Sequence, residues 1–376
     1  SRVTRLARHF AALMQGRLLI PLLLLCLLLI SVLSLLLGSV QLPPADILSA
    51  ILFREDALAS EILWDYRLPR TLFAIVIGAM LAMAGAMMQT LLRNPLADPY
   101  ILGTSGGAAA GVLAAFYLSL PVWFHLVAAV GGALFSTILL LLFSGFIRSR
   151  DTNRLLLTGI VLTTGWGALI TFLLTLSPSS SLPGMLFWLV GDLNEQASLA
   201  VPALVLLISL PPVLFAARPL DMLLLGRQQA ASLGVDVARM HLLLLGFAIL
   251  LTATAVAFAG PIGFVGLVAP HIIRLISGSG HRLLIPATAL LGGILLVAAD
   301  LLSRTLVAPR IMPAGSPAMC ATGPSRRVRR WAPTCASTCR KKVARRRAAT
   351  SLNASAVTWM RCATTSPVSR RASTAC

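Results

Sequence analysis

Charge is the first thing this chain lacks. Only 11 % of its 376 residues are Asp, Glu, Lys or Arg, against 57 % that are hydrophobic. A soluble domain carries about 25 % charged residues, so a water-facing exterior is excluded and most of the chain has lipid for its solvent. No lysine precedes Lys341 and no acid follows Asp300. The apolar spans carry no ionised side chain at their centres, which argues against proton- or sodium-coupled transport, where an intramembrane acid is usual. A phosphate loop of the Gly-x-x-x-x-Gly-Lys-Ser/Thr kind is also missing; Gly103-Thr104-Ser105-Gly106-Gly107 has the glycines without the lysine. If the chain moves a solute uphill, the energy must then come from a separate subunit, and no cofactor is expected on this chain. Cysteine is scarce in the apolar part, where Cys26 is alone. The other five crowd the tail, and Cys335 and Cys339 lack the second pair and the nearby histidine of a zinc site, so no metal site is expected.

What the chain has in abundance is long apolar runs. Candidate spans are 18–40, 71–92, 101–120, 122–147, 155–176, 197–217, 240–260, 262–276 and 283–307, with 262–276 short and a half-helix at 184–191. In lipid only helices or closed barrels satisfy the backbone, and these runs are too long and too uniformly apolar for barrel strands. The expected class is an all-α polytopic membrane protein. The first run is long enough to span and lacks the short core of a signal peptide, so it reads as a retained helix. With the N-terminus inside, thirteen arginines up to residue 309 fall on inside loops and only Arg54, Arg67, Arg70 and Arg304 outside, as the positive-inside rule requires.

Two stretches suggest an inverted repeat, a common transporter plan with the pathway between the halves. Ala84-Gly85 is followed ten residues later by Pro95, and Ala259-Gly260 ten residues later by Pro270. Glycines recur along the spans, as close helix packing in a membrane demands. The inside segment 218–239 is distinct. Leu220, Leu223, Leu224 and Leu225 offer an apolar face, Gly226 breaks it, and 228–233 predicts a second short helix stopped by Gly234. Such an element suits a protein contact, with a surface-lying amphipathic helix as the alternative.

A local pattern also fits a different class of function. Gly103-Thr104-Ser105-Gly106 fits the setting of an intramembrane serine nucleophile, with His125 or His271 as base; the competing reading makes Ser105 a small packing residue. The five histidines are scattered and favour no haem site.

Arg67-Leu68-Pro69-Arg70-Thr71, Gly85-Ala86-Met87-Met88-Gln89, Asn94-Pro95-Leu96-Ala97-Asp98-Pro99 with Leu102-Gly103, and the long run Gly260-Pro261-Ile262-Gly263-Phe264-Val265-Gly266-Leu267-Val268-Ala269-Pro270-His271 occur in order along residues 18–309. In these motifs the chain resembles the FecCD family, the iron-siderophore, haem and vitamin B12 permeases of bacterial ATP-binding-cassette importers. The resemblance implies a ten-helix type II importer permease with inverted repeats, in the inner membrane, working as a homodimer. Its partners would be two ATPase subunits inside, on which ATP and Mg would bind, a periplasmic substrate-binding protein outside, a metal-chelate substrate and membrane lipid, with no nucleic acid. It implies binding-protein docking by Arg67, Arg70 and Arg304, and a cytoplasmic gate of Asn94, Leu96, Thr152 and Asn153, the last standing where the family has serine. It further implies ATPase coupling through Leu224, Leu225, Gly226, Arg227, Ala230, Leu233 and Gly234.

The tail departs from that pattern. Residues 310–376 hold 12 Arg, 2 Lys and no acid, and no run long enough to span, so the family's last helix is missing and 1–309 forms the permease domain. The tail's composition resembles a GC-rich gene read out of frame; a nucleic-acid-binding arm is the competing reading.

Overall fold

The computed structural model describes residues 18–38, 60–145, 152–191, 193, 198–224, 226–278 and 280–306, all within one compact unit, 1–310. The arginine-rich tail, Leu225, and the side chains of Thr152 and Arg227 lie outside the described residues.

Those residues form helices and no strand. In chain order they are α1 (Leu19–Leu36), α2 (Leu68–Leu92), α3 (Thr104–Tyr117), α4 (Val122–Ser144), α5 (Thr152–Leu176), α6 (Leu182–Val190), α7 (Ala200–Phe215), α8 (Ala217–Leu224), α9 (Arg227–Ser232), α10 (Val237–Ala259), α11 (Val265–Ser277) and α12 (His281–Leu306). Six helical spans are long and apolar enough to cross a membrane, and α7 with α8 makes a seventh if that pair, bent by 60°, is one span. One expected span differs, and the one expected to be short is short. The run 101–120 divides into a 3-10 turn, Pro99–Leu102, and the 14-residue α3, and 262–276 yields a 13-residue α11. At 1.5 Å per residue each reaches about 20 Å, short of a bilayer core. Glycine at φ +76° (Gly103) and at φ +70° (Gly260) is the cause in each case, since it stops an otherwise continuous apolar run. The half-helix is present as α6.

The helix α2 is the hub. A proline at its first turn suits a helix start, and nearly every residue from Phe73 to Leu91 is buried. It packs against α12, α10 and α11. Lipid gives helices no hydrophobic reason to associate, so close backbone approach must supply the contact. A Cβ on Gly78 would strike the carbonyl of Gly292 on α12, and a Cβ on Gly85 would strike that of Gly266 on α11. The exterior is the reverse of a soluble protein's. Leu24, Leu25, Leu28 and Leu29 of α1, Leu142 and Phe143 of α4 and Phe215 of α7 are at least half exposed, a surface water would not tolerate and lipid covers.

The suggested repeat does not hold as a register. Gly85 lies in the middle of α2, whereas Gly260 ends α10; Pro95 lies in a helix break and Pro270 inside α11. The same ten-residue spacing thus falls on unlike structure.

Candidate functional site

Two polar clusters sit at opposite ends of α2. Between Arg70 and Thr90 the helix rises about 30 Å, the thickness of a bilayer's hydrocarbon core. The antiparallel α12 links the same two ends, with His281 beside Thr90 and Asp300 beside Arg70.

At the first end the three expected docking arginines converge. Asp300, with its side chain 1 % exposed, accepts Arg70 through Nε and Nη2, both at 2.9 Å, and lies 2.8 Å from Nη2 of Arg304. Arg304 also donates to Ser34 Oγ at 2.7 Å, and Ser34 meets Thr71 at 3.0 Å. Arg67 donates to the carbonyls of Leu35 and Leu36, at 2.7 and 3.2 Å. Those carbonyls are orphans of the α1 C-terminus, which a cation suits twice over, by hydrogen bond and by helix dipole. The structure therefore brings Arg67, Arg70 and Arg304 together but uses them within the chain: Arg67 is 5 % exposed, while the side chains of Arg70 and Arg304 keep 21 and 14 %.

Midway, the two long sequence motifs meet. Asn94-Pro95-Leu96-Ala97-Asp98 breaks the chain after α2, and 260–264 breaks it between α10 and α11. The Tyr100 hydroxyl joins the two breaks, donating to the carbonyl of Ile262 at 2.9 Å and accepting from its N–H at 3.0 Å. Asp98 caps the intervening turn by accepting from the Tyr100 N–H at 2.8 Å. Phe264 adopts φ +68°, uncommon for a bulky residue and a mark of local strain.

At the other end lie the expected gate and coupling residues. α2 stops where Arg93 turns left-handed (φ 50°), and the Asn94 side chain accepts from the Leu96 N–H at 2.9 Å in an Asx turn. Leu96 is 65 % exposed. Asn153 is exposed on the first turn of a separate helix, α5, and Thr152 begins that helix. The segment 217–234 folds as the sequence suggested, into α8, a break at Gly226 (φ +123°), α9 and a stop at Gly234 (φ +82°). Its apolar face is divided. Leu220, Leu223 and Ala230 are buried in the chain's own core, while Leu224 and Leu233 are turned outward. Ala230 is therefore internal, and the outward surface is carried by Leu224, Leu233 and Gly234.

Sequence reading missed a second set here. Asp221 of α8 accepts from both the backbone N–H and ring Nδ1 of His281, at 2.8 and 2.6 Å. The other ring nitrogen meets Thr90 Oγ1 at 2.9 Å, and Arg274 of α11 donates to the same hydroxyl at 3.1 Å. No motif marks these residues; the one signal is Asp221 itself, one of two acids in the 218–239 segment.

The nucleophile reading finds no support in the geometry. His125 stacks on Phe116 with ring centroids 4.1 Å apart, and among the described residues Ser105 has no hydrogen bond to a histidine. Groups of three or more metal-ligating side chains are likewise not found among the described residues.

Comparison with known proteins agrees with this architecture. The chain is 40 % identical over 298 residues to the vitamin B12 import system permease BtuC of Salmonella typhimurium (strain LT2), covering 77 % of this chain and 87 % of that one. It is 40 % identical over 260 residues to the Fe(3+) dicitrate transport permease FecD of Escherichia coli (strain K12), covering 68 and 80 %. A Bacillus subtilis (strain 168) ABC transporter permease of uncharacterised role, YvrB, is 40 % identical over 269 residues, covering 69 and 76 %. The solved structure of a metal-chelate type ABC transporter in an inward-facing conformation superposes with TM-score 0.68 at 29 % identity, covering 76 % of this chain and 90 % of that one. The model of the FecCD transport family matches residues 25–324, running past residue 309 into the tail. On fold, membrane character and sequence together, the chain belongs to the FecCD transport family.

Proposed function

We propose that the chain is the membrane-spanning permease subunit of an ATP-driven importer and that its cargo is a metal chelate: a ferric siderophore, haem or a cobalamin. The observation that carries the reading is a shared face. The Asn94–Leu96 turn and the outward side of α8–α9 open at the same end of α2, where Thr90 and Asp221 are joined through one histidine. A partner pressing on Leu224 and Leu233 would there act directly on the base of the pathway. The chain does no covalent chemistry; ATP hydrolysis belongs to two partner ATPases. The arginine bias supports a cytoplasmic position for this face and an inside N-terminus, and membership of the FecCD family supports a bacterial inner membrane.

At the opposite face Arg70 and Arg304 present residual positive surface to a substrate-binding protein, where charge complementarity speeds and orients docking. Arg67 serves instead to hold α1 to α2. A homodimer with its pathway on the two-fold axis fits the family. The cargo class rests on relatives that import vitamin B12 and ferric dicitrate.

Uptake of radiolabelled cyanocobalamin and of radiolabelled ferric dicitrate into vesicles holding the chain with its ATPase and binding protein tests this. Uptake that requires ATP supports the reading; equal uptake with and without ATP refutes it.

A further inference from the structure

Four polar side chains from four different helices meet at the Thr90 end of α2. We propose that Asp221, His281, Thr90 and Arg274 are positioning residues that carry movement of the α8–α9 element to the Asn94–Leu96 turn. The inference rests on the importer reading and assigns to particular atoms the step from ATPase contact to pathway.

The chain of bonds is continuous. A single oxygen of Asp221, on α8, accepts from His281 twice, at 2.8 Å from the backbone N–H and at 2.6 Å from the ring. The backbone bond caps α12 from outside, since the first N–H groups of a helix have no partner within it. The ring then reaches Thr90 Oγ1 at 2.9 Å. That hydroxyl also lies 2.8 Å from the Ala86 carbonyl and accepts from Arg274 Nη2 at 3.1 Å. With Nδ1–H given to Asp221, a neutral ring accepts at Nε2, so the single hydroxyl proton serves either His281 or the Ala86 carbonyl while a lone pair takes Arg274. On the adjacent residue, Gln89 Nε2 donates to the Leu267 carbonyl at 3.1 Å, a second tie between α2 and α11.

The geometry favours transmission. Thr90 lies on the last turn of α2, three residues before the left-handed Arg93 and four before Asn94, whose N–H still bonds the Gln89 carbonyl at 3.2 Å. A displacement of that turn therefore displaces the Asx turn and the exposed Leu96. Arg274 stands at the C-terminal end of α11, whose N-terminal end leads into the break held by Tyr100. Pulling on His281 thus loads both helix breaks. His281 and Thr90 are buried, 1 and 4 % exposed, whereas the Asp221 side chain is 41 % exposed on the element a cytoplasmic partner would touch. Polar side chains buried in a lipid-facing protein are costly unless paired, and here the pairing joins a surface element to an interior turn, with Arg274 Nε alone left without a hydrogen bond in the cluster.

The test uses the full-length chain with its six cysteines replaced and Leu96→Cys added, assembled with its ATPase in phosphatidylethanolamine–phosphatidylglycerol vesicles. Maleimide modification of residue 96 is followed with and without ATP, beside ATP hydrolysis and ATPase co-purification. With Thr90 intact, ATP changes the modification rate by about fivefold or more. Thr90→Val, which keeps the volume and removes the hydroxyl, and His281→Gln each reduce that change below about twofold while hydrolysis and co-purification persist; Thr90→Ser restores it. The linkage is refuted if Thr90→Val and His281→Gln keep the full ATP response. It is refuted equally if both lose ATPase binding along with the response, because the cluster is then only a staple of the fold. A Thr90 chain that binds no ATPase, or shows no response to ATP, overturns the importer reading itself and takes the linkage with it.

Discussion

Replacing Asp300 by asparagine should cost more than any other single change at the first end of α2. The carboxylate is 1 % exposed and holds two arginines, with nitrogen–oxygen distances of 2.9, 2.9 and 2.8 Å. At an effective dielectric of about 20, two unit charges about 4 Å apart attract by roughly 4 kcal/mol. Part of that is offset by desolvation, and the guanidinium groups keep 21 and 14 % exposure. Removing one partner of a buried pair costs about 3–5 kcal/mol, because the remaining charge stays in a poor solvent. A loss of about 3 kcal/mol is therefore expected for Asp300→Asn. The assay is reversible unfolding of the detergent-solubilised chain by increasing sodium dodecyl sulfate, followed by circular dichroism. Adding Arg70→Gln to Asp300→Asn should cost less than the sum of the two single losses, since the pair is lost once. A loss below about 1 kcal/mol, the value of an exposed pair, would show that the cluster is solvated and that its arginines are not spent inside the chain.

Four further outcomes are expected. Gly85→Leu forces a side chain onto the Gly266 carbonyl and should lower stability by at least about 1–3 kcal/mol in the same unfolding assay. Tyr100→Phe removes both bonds to Ile262 and should cost about 1–3 kcal/mol there; an unchanged midpoint would show that the two breaks are not tied. Leu233→Arg, on a residue 58 % exposed, should reduce ATPase co-purification by about tenfold while leaving the unfolding midpoint in place. Ser105→Ala should leave uptake unchanged, and covalent labelling of Ser105 by a serine-reactive probe would contradict its assignment as a packing residue.

Hydropathy made the order of the apolar helices legible, because a membrane span is a long one-sided signal. The break at Gly226 and the stop at Gly234 were legible for a similar reason, each requiring a backbone that glycine alone adopts easily. The short α11 was also legible as a short run, but the short α3 was not. Its residues are as apolar as those of a full span, and only the path of the chain around Tyr100 and Ile262 shows where it begins. The spacing Gly-then-Pro misled, since a glycine that lets helices touch and a glycine that ends a helix look alike in one sequence. The arginines were found by their position but not their use. Arg70 and Asp300 are 230 residues apart, and Thr90 and His281 are 191 apart. Pairings of such range leave no local pattern to read.

Which side of the membrane α8 and α9 face is the most direct test of the account. With all native cysteines replaced and a single cysteine at Leu233, a membrane-impermeant maleimide is applied to intact spheroplasts and to inverted vesicles. The account predicts labelling in inverted vesicles alone, at the face where the ATPase binds. Labelling in intact spheroplasts would place that element outside and leave the chain with no route by which ATP drives it.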